Sequence, residues 1–374
     1  MKRIVATHGG NRGVGEGEKA WTCQRHLKAM LFAQVAGLNS LREIEQGLSA
    51  APKALYHLDL RVAPRSTLSD AQKLRPYEVF RDIAQWLMPQ MSRKLRGEGK
   101  VLIQLIDASP IPLRDDRFDW AEASSRTRGL KLHVGYDPRA DLPTWLDVTS
   151  AKVSDITAAR EHEIVPGTVY VFDKGYLDYG WWHKIHEKQA FFVSRLKSNS
   201  RRREVKERVV EGQGILADSD IKVGHAKPRG GAVNPLFDVP LREILVEREG
   251  KEPLCLVTND LERPAAEIAD LYKERWQIEL LFKWVKQNLK IKRFLGRSEN
   301  AVKSQIYIAF IAFLLLRLFR HTRAKGHKHG AKALIAKLKV ALFAGFTLET
   351  RSTPPPRHPS RLPPTPQLTL ALPC

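Results

Sequence analysis

Helical periodicity is clearest in the segment YKERWQIELLFKWVK, which runs from 272 to 286. At about 100° per residue, four of its polar side chains fall within one narrow sector of a helix. These four residues are Tyr272, Arg275, Glu279 and Lys286. Apolar residues cover much of the remaining circumference, which predicts a largely buried helix whose polar stripe borders a cleft.

Two apolar runs upstream predict buried strands that each lead into an acid. VLIQLID ends with Asp107, and the apolar part of TVYVFDKGY leads into Asp173. A single acid in such a position is often a cap or a turn residue. Arg275, Glu279 and Lys283 are likewise spaced for ordinary i,i+4 ion pairs on a core helix. Three carboxylates in the order strand, strand, helix are nevertheless typical of a ribonuclease-H-like metal site.

Helical patterns also dominate the chain before the first acid. Residues 1–18 predict a loop, and a later capping box formed by Ser40 and Glu43 indicates the start of a short helix. Another short helix carries Lys73 and Arg75, and three short helices with a basic third one predict a DNA-binding helix-turn-helix. A small helical bundle that only packs on the catalytic core is the alternative.

The middle of the chain alternates strand and helix patterns. Five strand-like runs, including 129–137 and 143–153, have the order of a ribonuclease-H-like sheet. Between 198 and 258, short alternating runs separated by turn residues predict an all-β insertion whose only aromatic residue is Phe237. The predicted fold class is α/β: a ribonuclease-H-like catalytic core with an all-β insertion, preceded by a small helical N-terminal domain. The predicted domains are 1–95 (helical, DNA-binding), 96–197 (first part of the core), 198–258 (insertion), 259–350 (second part of the core with basic C-terminal helices) and 351–374 (a Pro-rich tail expected to be disordered).

The net charge indicates the class of partner. The chain has 62 Lys and Arg against 41 Asp and Glu, which gives a formal charge of +21 and a pI near 10.0. Such a balance favours a polyanion, most simply nucleic acid, over the substrates of an ordinary metabolic enzyme. Sixteen Lys or Arg against two acids lie between 283 and 351, so most of the excess charge follows the polar helix.

Other residue patterns exclude several classes of protein. The three Cys are far apart and form no CxxC pair, so they indicate neither a disulfide framework nor a zinc site, and a reducing cytosol fits. His321, His327 and His329 have no acid among them, which favours a DNA-facing basic strip over a metal site. The apolar run 306–316 falls short of the roughly 20 residues that span a bilayer, so it predicts a core helix and no membrane anchor. The first 18 residues contain no secretory apolar region, and a cytoplasmic protein is expected.

Together these residues resemble a DDE transposase of a bacterial insertion sequence, in the family with the signature Tyr-x2-Arg-x3-Glu-x6-Lys (insertion sequence family four). The four polar residues of the segment 272–286 match that spacing without a gap. Asp107 in IDAS and Asp173 in FDKGY stand where the family has its first and second acids. The resemblance runs from about Trp21 to about Phe346.

The resemblance implies metal-dependent cleavage at terminal inverted repeats and strand transfer into target DNA, the reactions of cut-and-paste transposition. Three converging carboxylates would hold two divalent cations, Mg²⁺ by ligand hardness with Mn²⁺ as an alternative. The implied partners are double-stranded DNA and a second copy of the chain, in a homodimer on DNA associated with the nucleoid. The implied catalytic and metal residues are Asp107, Asp173 and Glu279, and the implied DNA-binding residues are Tyr272, Arg275, Lys283, Lys286, Lys290, Lys292 and Arg293.

Two other functions are consistent with parts of the pattern. A decayed copy of a transposase would bind DNA without cleaving it, although the intact acids favour an enzyme. A metal-dependent nuclease would need the acids but not the Tyr-Arg-Glu-Lys face. Stacking of a flipped base, which the family performs on an aromatic residue of the insertion, has no obvious residue here because the insertion lacks Trp.

Overall fold

The structure is a computed structural model that describes residues 1–15, 17, 20–96, 101–113, 118–121, 128–227, 233–289, 291, 293–323 and 336–338. Its described part forms a mixed sheet of nine strands with helices on both faces and a helical N-terminal region. Several predicted features lie outside these residues. They are Lys290, Lys292, His327, His329 and the tail 351–374.

Six helices precede the sheet: α1 (Lys2–Thr7), α2 (Cys23–Ala36), α3 (Leu41–Ser49), α4 (Pro52–His57), α5 (Arg65–Leu74) and α6 (Tyr77–Arg96). The prediction of a loop over residues 1–18 was therefore wrong at its start. Helix α1 forms because tertiary contacts support it: Val5 is buried, and His8 Nε2 lies 2.6 Å from Asp82 Oδ2 on α6. The capping box is confirmed, since Ser40 Oγ accepts a hydrogen bond from the Glu43 backbone N–H at 3.1 Å.

The two basic residues at the carboxyl end of helix α5 differ in exposure, since Lys73 is exposed and Arg75 is buried. Arg75 is 7% exposed, and its Nη1 donates to the Gly10 carbonyl at 3.3 Å. The Asn300 side chain donates to the carbonyl oxygens of Lys73 and Arg75 at 3.2 and 2.8 Å. The carboxyl end of α5 is thus anchored to the helix that contains Asn300, and Arg75, one of the two basic residues behind the helix-turn-helix prediction, makes its contact within the fold.

The strands are β1 (Ile103–Pro112), β2 (Gly129–Asp137), β3 (Leu142–Ser150), β4 (Val169–Val171), β5 (Phe191–Arg195), β6 (Arg202–Glu207), β7 (Ile215–Val223), β8 (Leu241–Val246) and β9 (Leu254–Thr258). Their order in the sheet is β3-β2-β1-β4-β5-β9-β8-β7-β6. β1, β4 and β5 are parallel to one another, whereas β2 is antiparallel to β1 and β3 is antiparallel to β2. The predicted β-structure between 198 and 258 forms, but it continues the central sheet because β9 pairs with β5.

The helices that follow the first strands cover both faces of the sheet. They are α7 (Asp155–Arg160), α8 (Tyr179–Glu187), α9 (Ala265–Glu274), α10 (Trp276–Asn288) and α11 (Glu299–Arg323). One hydrophobic core includes α2, α6, α10 and α11, and a second core includes α8 with the rings of Trp182, Phe172 and Phe192. The second core is rich in aromatic contacts, among them Trp182 and Phe192 with ring centroids 4.6 Å apart.

Helix α11 is longer than its apolar run suggested. Among the described residues it is the one helix long and apolar enough to cross a membrane, with a mean hydropathy of 1.7 over its most apolar window. A single such helix is weak grounds for a membrane protein, because core helices have the same length and composition. The window is 78% buried within the protein, as a core helix would be.

Candidate functional site

The first acid of the predicted site lies within a strand, not at its end. β1 continues to Pro112, so Asp107 sits in the middle and pairs with Val134 of β2. The strand extends because residues 108–112 keep their pairing with β2 although two of them are proline. One Asp107 carboxylate oxygen accepts a hydrogen bond from the Ala108 backbone N–H at 2.8 Å. The other oxygen remains directed toward the neighbouring charged residues.

The second acid lies next to the first because their strands are parallel neighbours. Leu105 of β1 pairs with Val171 of β4, so two residues further along each strand Asp107 reaches the level of Asp173. Adjacent strands are about 4.8 Å apart, which brings the two side chains to one edge of the cleft. Asp173 caps a single turn of 3₁₀ helix, Lys174–Tyr176, by accepting a hydrogen bond from the Gly175 backbone N–H.

The predicted helix over 272–286 is divided by a break at Arg275. Helix α9 ends at Glu274, and α10 begins at Trp276. Arg275 keeps helical dihedral angles, φ −49° and ψ −34°, and its N–H bonds to the Tyr272 carbonyl three residues earlier. The break is therefore a tightened turn that leaves the order of side chains around the helix nearly unchanged.

Arg275 joins the helical acid to the strand acid. Its Nη2 donates to Glu279 Oε1 at 2.7 Å, and its Nη1 lies 3.9 Å from Asp107 Oδ2. The ion pair with Glu279 is the i,i+4 contact of an ordinary helix, but the approach to Asp107 comes from packing α10 against β1. The structure thus brings together the carboxylates of Asp107 and Glu279 around one guanidinium.

The pKa of Asp107 indicates other negative charges close to it. The pKa of Asp107 is raised to about 6, mainly by burial; the Ala108 N–H and the Arg275 charge oppose the rise, and the negative charges of Asp173 and Glu279 add to it. The charges of the other two acids therefore act on the Asp107 carboxylate. Such a group of carboxylates is stabilised by any cation that enters between them.

The chemistry of the three acids suits a divalent metal ion. Carboxylate oxygens are the hard ligands that Mg²⁺ and Mn²⁺ prefer. Across the residues that the structure describes, however, no group of three His, Cys, Asp or Glu side chains is close enough to hold a metal ion. The Arg275 guanidinium lies between Asp107 and Glu279 instead. The donor set fits a divalent cation, and the guanidinium would have to turn away from Glu279 to admit it.

Tyr272 and Arg195 form a second layer beside these acids. Burial raises the pKa of Tyr272, and the positive charges of Arg275 and Arg195 oppose that rise. The Arg275 guanidinium carbon lies 5.9 Å from the centre of the Tyr272 ring, within cation–π distance. Arg195 ends β5, and because Val171 pairs with Val193 it reaches the level of Asp173. Arg195 was not predicted as a site residue. Its position near the end of the apolar run AFFVSRL resembles the positions of Asp107 and Asp173 after their apolar runs.

The predicted basic residues divide into two groups. The Lys286 ammonium donates to Ser109 Oγ at 2.7 Å, so this residue belongs to the site. Lys283 and Arg293 are exposed and make no contact with the acids that the structure records. Lys290 and Lys292 lie outside the described residues, and their predicted contact with DNA stays a prediction.

The helix is less buried than its pattern predicted. Ile278, Leu281 and Val285 pack into the core, but Trp276 is 57% exposed and Leu280 is 42% exposed. These two side chains lie on either side of Glu279 in the sequence. An apolar, partly aromatic surface therefore borders the acids on the solvent side.

The family described as Transposase DDE domain matches residues 99–315, more than half of the chain and all three acids. The chain belongs to this transposase family. A second match, over residues 1–61, is described only as a domain of unknown function.

Curated relatives agree with this family. The chain is 46% identical over 254 residues to the putative transposase y4zB of Sinorhizobium fredii (strain NBRC 101917 / NGR234), which covers 67% of this chain and 70% of the relative. It is 26% identical over 300 residues to the probable transposase for insertion sequence element IS5377 of Geobacillus stearothermophilus, covering 76% of this chain and 74% of the relative. It is 28% identical over 288 residues to the putative transposase for insertion sequence element IS4SA of Synechocystis sp. (strain ATCC 27184 / PCC 6803 / Kazusa), covering 74% and 78%.

A solved structure of the piggyBac transposase synaptic complex with hairpin DNA has a TM-score of 0.48 to this chain at 11% identity, over 92% of this chain and 76% of the other. That similarity is too distant to bear on the mechanism. The family and the relatives identify the chain as a DDE-type insertion-sequence transposase, an enzyme that cleaves DNA by phosphoryl transfer.

Proposed function

We propose that this transposase nicks DNA at the terminal inverted repeats of its own element and joins the freed ends to target DNA. Asp107, Asp173 and Glu279 would be the residues that hold the divalent ions, with two Mg²⁺ ions expected and Mn²⁺ as a substitute. The observation that carries this proposal is that the Arg275 guanidinium lies between Asp107 on β1 and Glu279 on α10, while Asp173 follows β4, the parallel neighbour of β1.

Each residue of the site has a distinct task in this proposal. Bound divalent ions would supply Lewis-acid stabilisation for an in-line displacement at phosphorus. Arg275 would turn from Glu279 to a phosphate oxygen, since a planar guanidinium can form two parallel bonds to phosphate. Lys286 would add a point charge to the neighbouring phosphate. Tyr272 would orient Arg275 through the contact of its ring with the guanidinium, and the Arg195 charge lies close enough to Tyr272 to act on its hydroxyl.

Outside the site, we propose roles for the larger parts of the chain. The order β3-β2-β1-β4-β5 supports a ribonuclease-H-like core, and β6 to β9 would be the insertion that extends it. The N-terminal helices would bind the element's end. Because Arg75 is buried, the amino ends of α3 and α5 are the better surface, where Arg42 and Arg65 border one groove. Exposed Trp276 is the described aromatic residue best placed to stack a flipped base beside Glu279.

For partners, we propose double-stranded element ends, target DNA and a second copy of the chain, acting in the bacterial cytoplasm. The formal charge of +21 supports the nucleic-acid partners. A homodimer is proposed because two ends must be joined to one target in cut-and-paste transposition.

A cleavage assay distinguishes this proposal from its two rivals. The full-length protein is incubated with an oligonucleotide duplex that carries the inverted repeat found beside the gene, with a scrambled duplex as control, in Mg²⁺, in Mn²⁺ or in a chelator. We expect nicking at the end of the repeat only when a divalent ion is present. Binding of the repeat without nicking would indicate a decayed copy, and equal cleavage of both duplexes would indicate a nuclease.

A further inference from the structure

Helix α10 contacts strand β1 through two polar interactions. The first is made by Arg275, which lies 3.9 Å from Asp107. The second is the hydrogen bond from the Lys286 ammonium to Ser109 Oγ at 2.7 Å. Ser109 is 8% exposed and follows Asp107 by two residues, so both side chains leave the same face of the strand. The two contacts together determine the position of α10 along the axis of β1.

The two contacts are more widely spaced on the helix than on the strand. Two residues of a strand span about 6.6 Å, whereas Arg275 and Lys286, eleven residues apart, span about 16 Å of helix. The long Arg275 and Lys286 side chains bridge the difference, and loss of the Ser109 hydroxyl would let the Lys286 side chain sample more rotamers. A fixed hydroxyl on β1 therefore restrains the lysine and, through it, the helix.

We propose that Ser109 is a positioning residue, whose hydroxyl holds the Lys286 ammonium against β1 so that Lys286 and Glu279 face the same DNA phosphate. This inference rests on the proposed function, because Lys286 matters for cleavage only if it contacts DNA. The contact itself is a property of the fold and can be measured without DNA. No sequence pattern predicts it, since Ser109 lies outside the four-residue signature.

The test compares Ser109→Ala and Ser109→Thr with Ser219→Ala, a matched control. Ser219 is a buried strand serine, 6% exposed, that donates to Glu204 on β6, away from Lys286. Loss of a hydrogen bond to a charged group should slow single-turnover cleavage about 10-fold in Ser109→Ala, and Ser109→Thr should restore most of the rate. The Kd for end DNA should change little, because Lys286 is one of many phosphate contacts. Ser219→Ala should cleave at the parental rate.

A double-mutant cycle separates positioning from a general structural role. If Ser109 acts through Lys286, Lys286→Ala and the double variant Ser109→Ala/Lys286→Ala should cleave at the same rate. If Ser109→Ala slows the Lys286→Ala protein by the same factor as the parent, the inference is overturned.

A second measurement does not depend on cleavage. In the DNA-free protein, the rate at which an amine-reactive ester labels Lys286, followed by mass spectrometry, should rise in Ser109→Ala and stay unchanged in Ser219→Ala. Equal labelling in all three proteins would overturn the inference. Faster labelling in Ser109→Ala with no DNA cleavage by any protein, the parent included, would support the contact and refute the proposed function.

Discussion

The buried ion pair between Asp218 on β7 and Arg242 on β8 gives the sharpest prediction about stability. The two side chains are 2% and 6% exposed, and Arg242 Nε donates to Asp218 Oδ1 at 2.8 Å within a two-bond contact. Arg242 also donates to the carbonyl of Arg263, next to the residue that caps α9. Removing Asp218 would leave a buried, unpaired guanidinium, for which the cost is about 3–5 kcal/mol.

The matched comparison is an exposed pair of the same kind. Lys273 and Asp270 on α9 lie 2.8 Å apart, but their side chains are 72% and 70% exposed. Surface pairs contribute about 0–1 kcal/mol because water and salt screen them. We therefore expect Asp218→Ala to lower the free energy of unfolding by about 3–5 kcal/mol in denaturant titration, and Asp270→Ala by less than about 1 kcal/mol.

A double variant tests whether the effect comes from the pair. Replacing both residues, as Asp218→Leu/Arg242→Met, should recover much of the lost stability, since no unpaired charge remains. If Asp218→Ala and Asp270→Ala lowered stability equally, burial of the pair would not be the cause. A double variant no more stable than Asp218→Ala would also contradict the reasoning.

Three other predictions concern pH, the phosphate contact and the basic tract. Burial lowers the pKa of His26 to about 3, so below the unfolded value near 6.5 the unfolded chain gains a proton at this residue that the folded chain does not. His26 should therefore contribute a fall in stability of about 1.4 kcal/mol per pH unit down to about pH 3. In denaturant titrations at pH 5 and 7, His26→Leu should reduce the slope by that contribution and leave those of His133 and His162, whose pKa values burial also lowers. Arg275→Ala should lower end-specific cleavage on the order of 100-fold with little loss of DNA binding. Arg275→Lys should restore the cleavage rate only in part, because an ammonium group cannot form two parallel hydrogen bonds to a phosphate. If activity and melting temperature fell together, Arg275 would be a purely structural residue. Replacing Lys290, Lys292 and Arg293 together should weaken binding to every DNA sequence. The slope of the logarithm of the DNA association constant against the logarithm of the salt concentration should fall by about one unit per lost contact. An unchanged slope would mean that these side chains do not contact DNA.

The sequence predicted the elements that depend on local pattern. Apolar runs in the sequence located β1, β4 and β5. In the structure these strands pair in parallel, and that pairing places Asp107 beside Asp173. The helical period likewise placed Arg275 on the face of Glu279, as the 2.7 Å contact shows. These features follow from periods of two and 3.6 residues, which the chain displays directly.

What the sequence did not predict depends on contacts between distant segments. No Gly or Pro in the sequence indicates the helix break at Arg275. Helix α1 is stabilised by a contact of His8 with Asp82 on α6. The contact of Arg75 depends on the position of the Gly10 carbonyl, which is distant in the sequence. Ser109 contacts Lys286 only because α10 packs beside β1. No local pattern encodes such partners, so the tertiary structure was needed to find them.

The measurement that tests the assignment of the acids most directly is Mg²⁺-dependent cleavage of end DNA by single variants. Asp107→Ala, Asp173→Ala and Glu279→Ala should each abolish cleavage while retaining nearly parental binding to the same duplex, because a lost carboxylate removes a proposed metal ligand and few phosphate contacts. Asp270→Ala, an exposed acid on the adjacent helix, should cleave normally. Cleavage at a near-parental rate by any one of the three site variants would contradict the proposed triad.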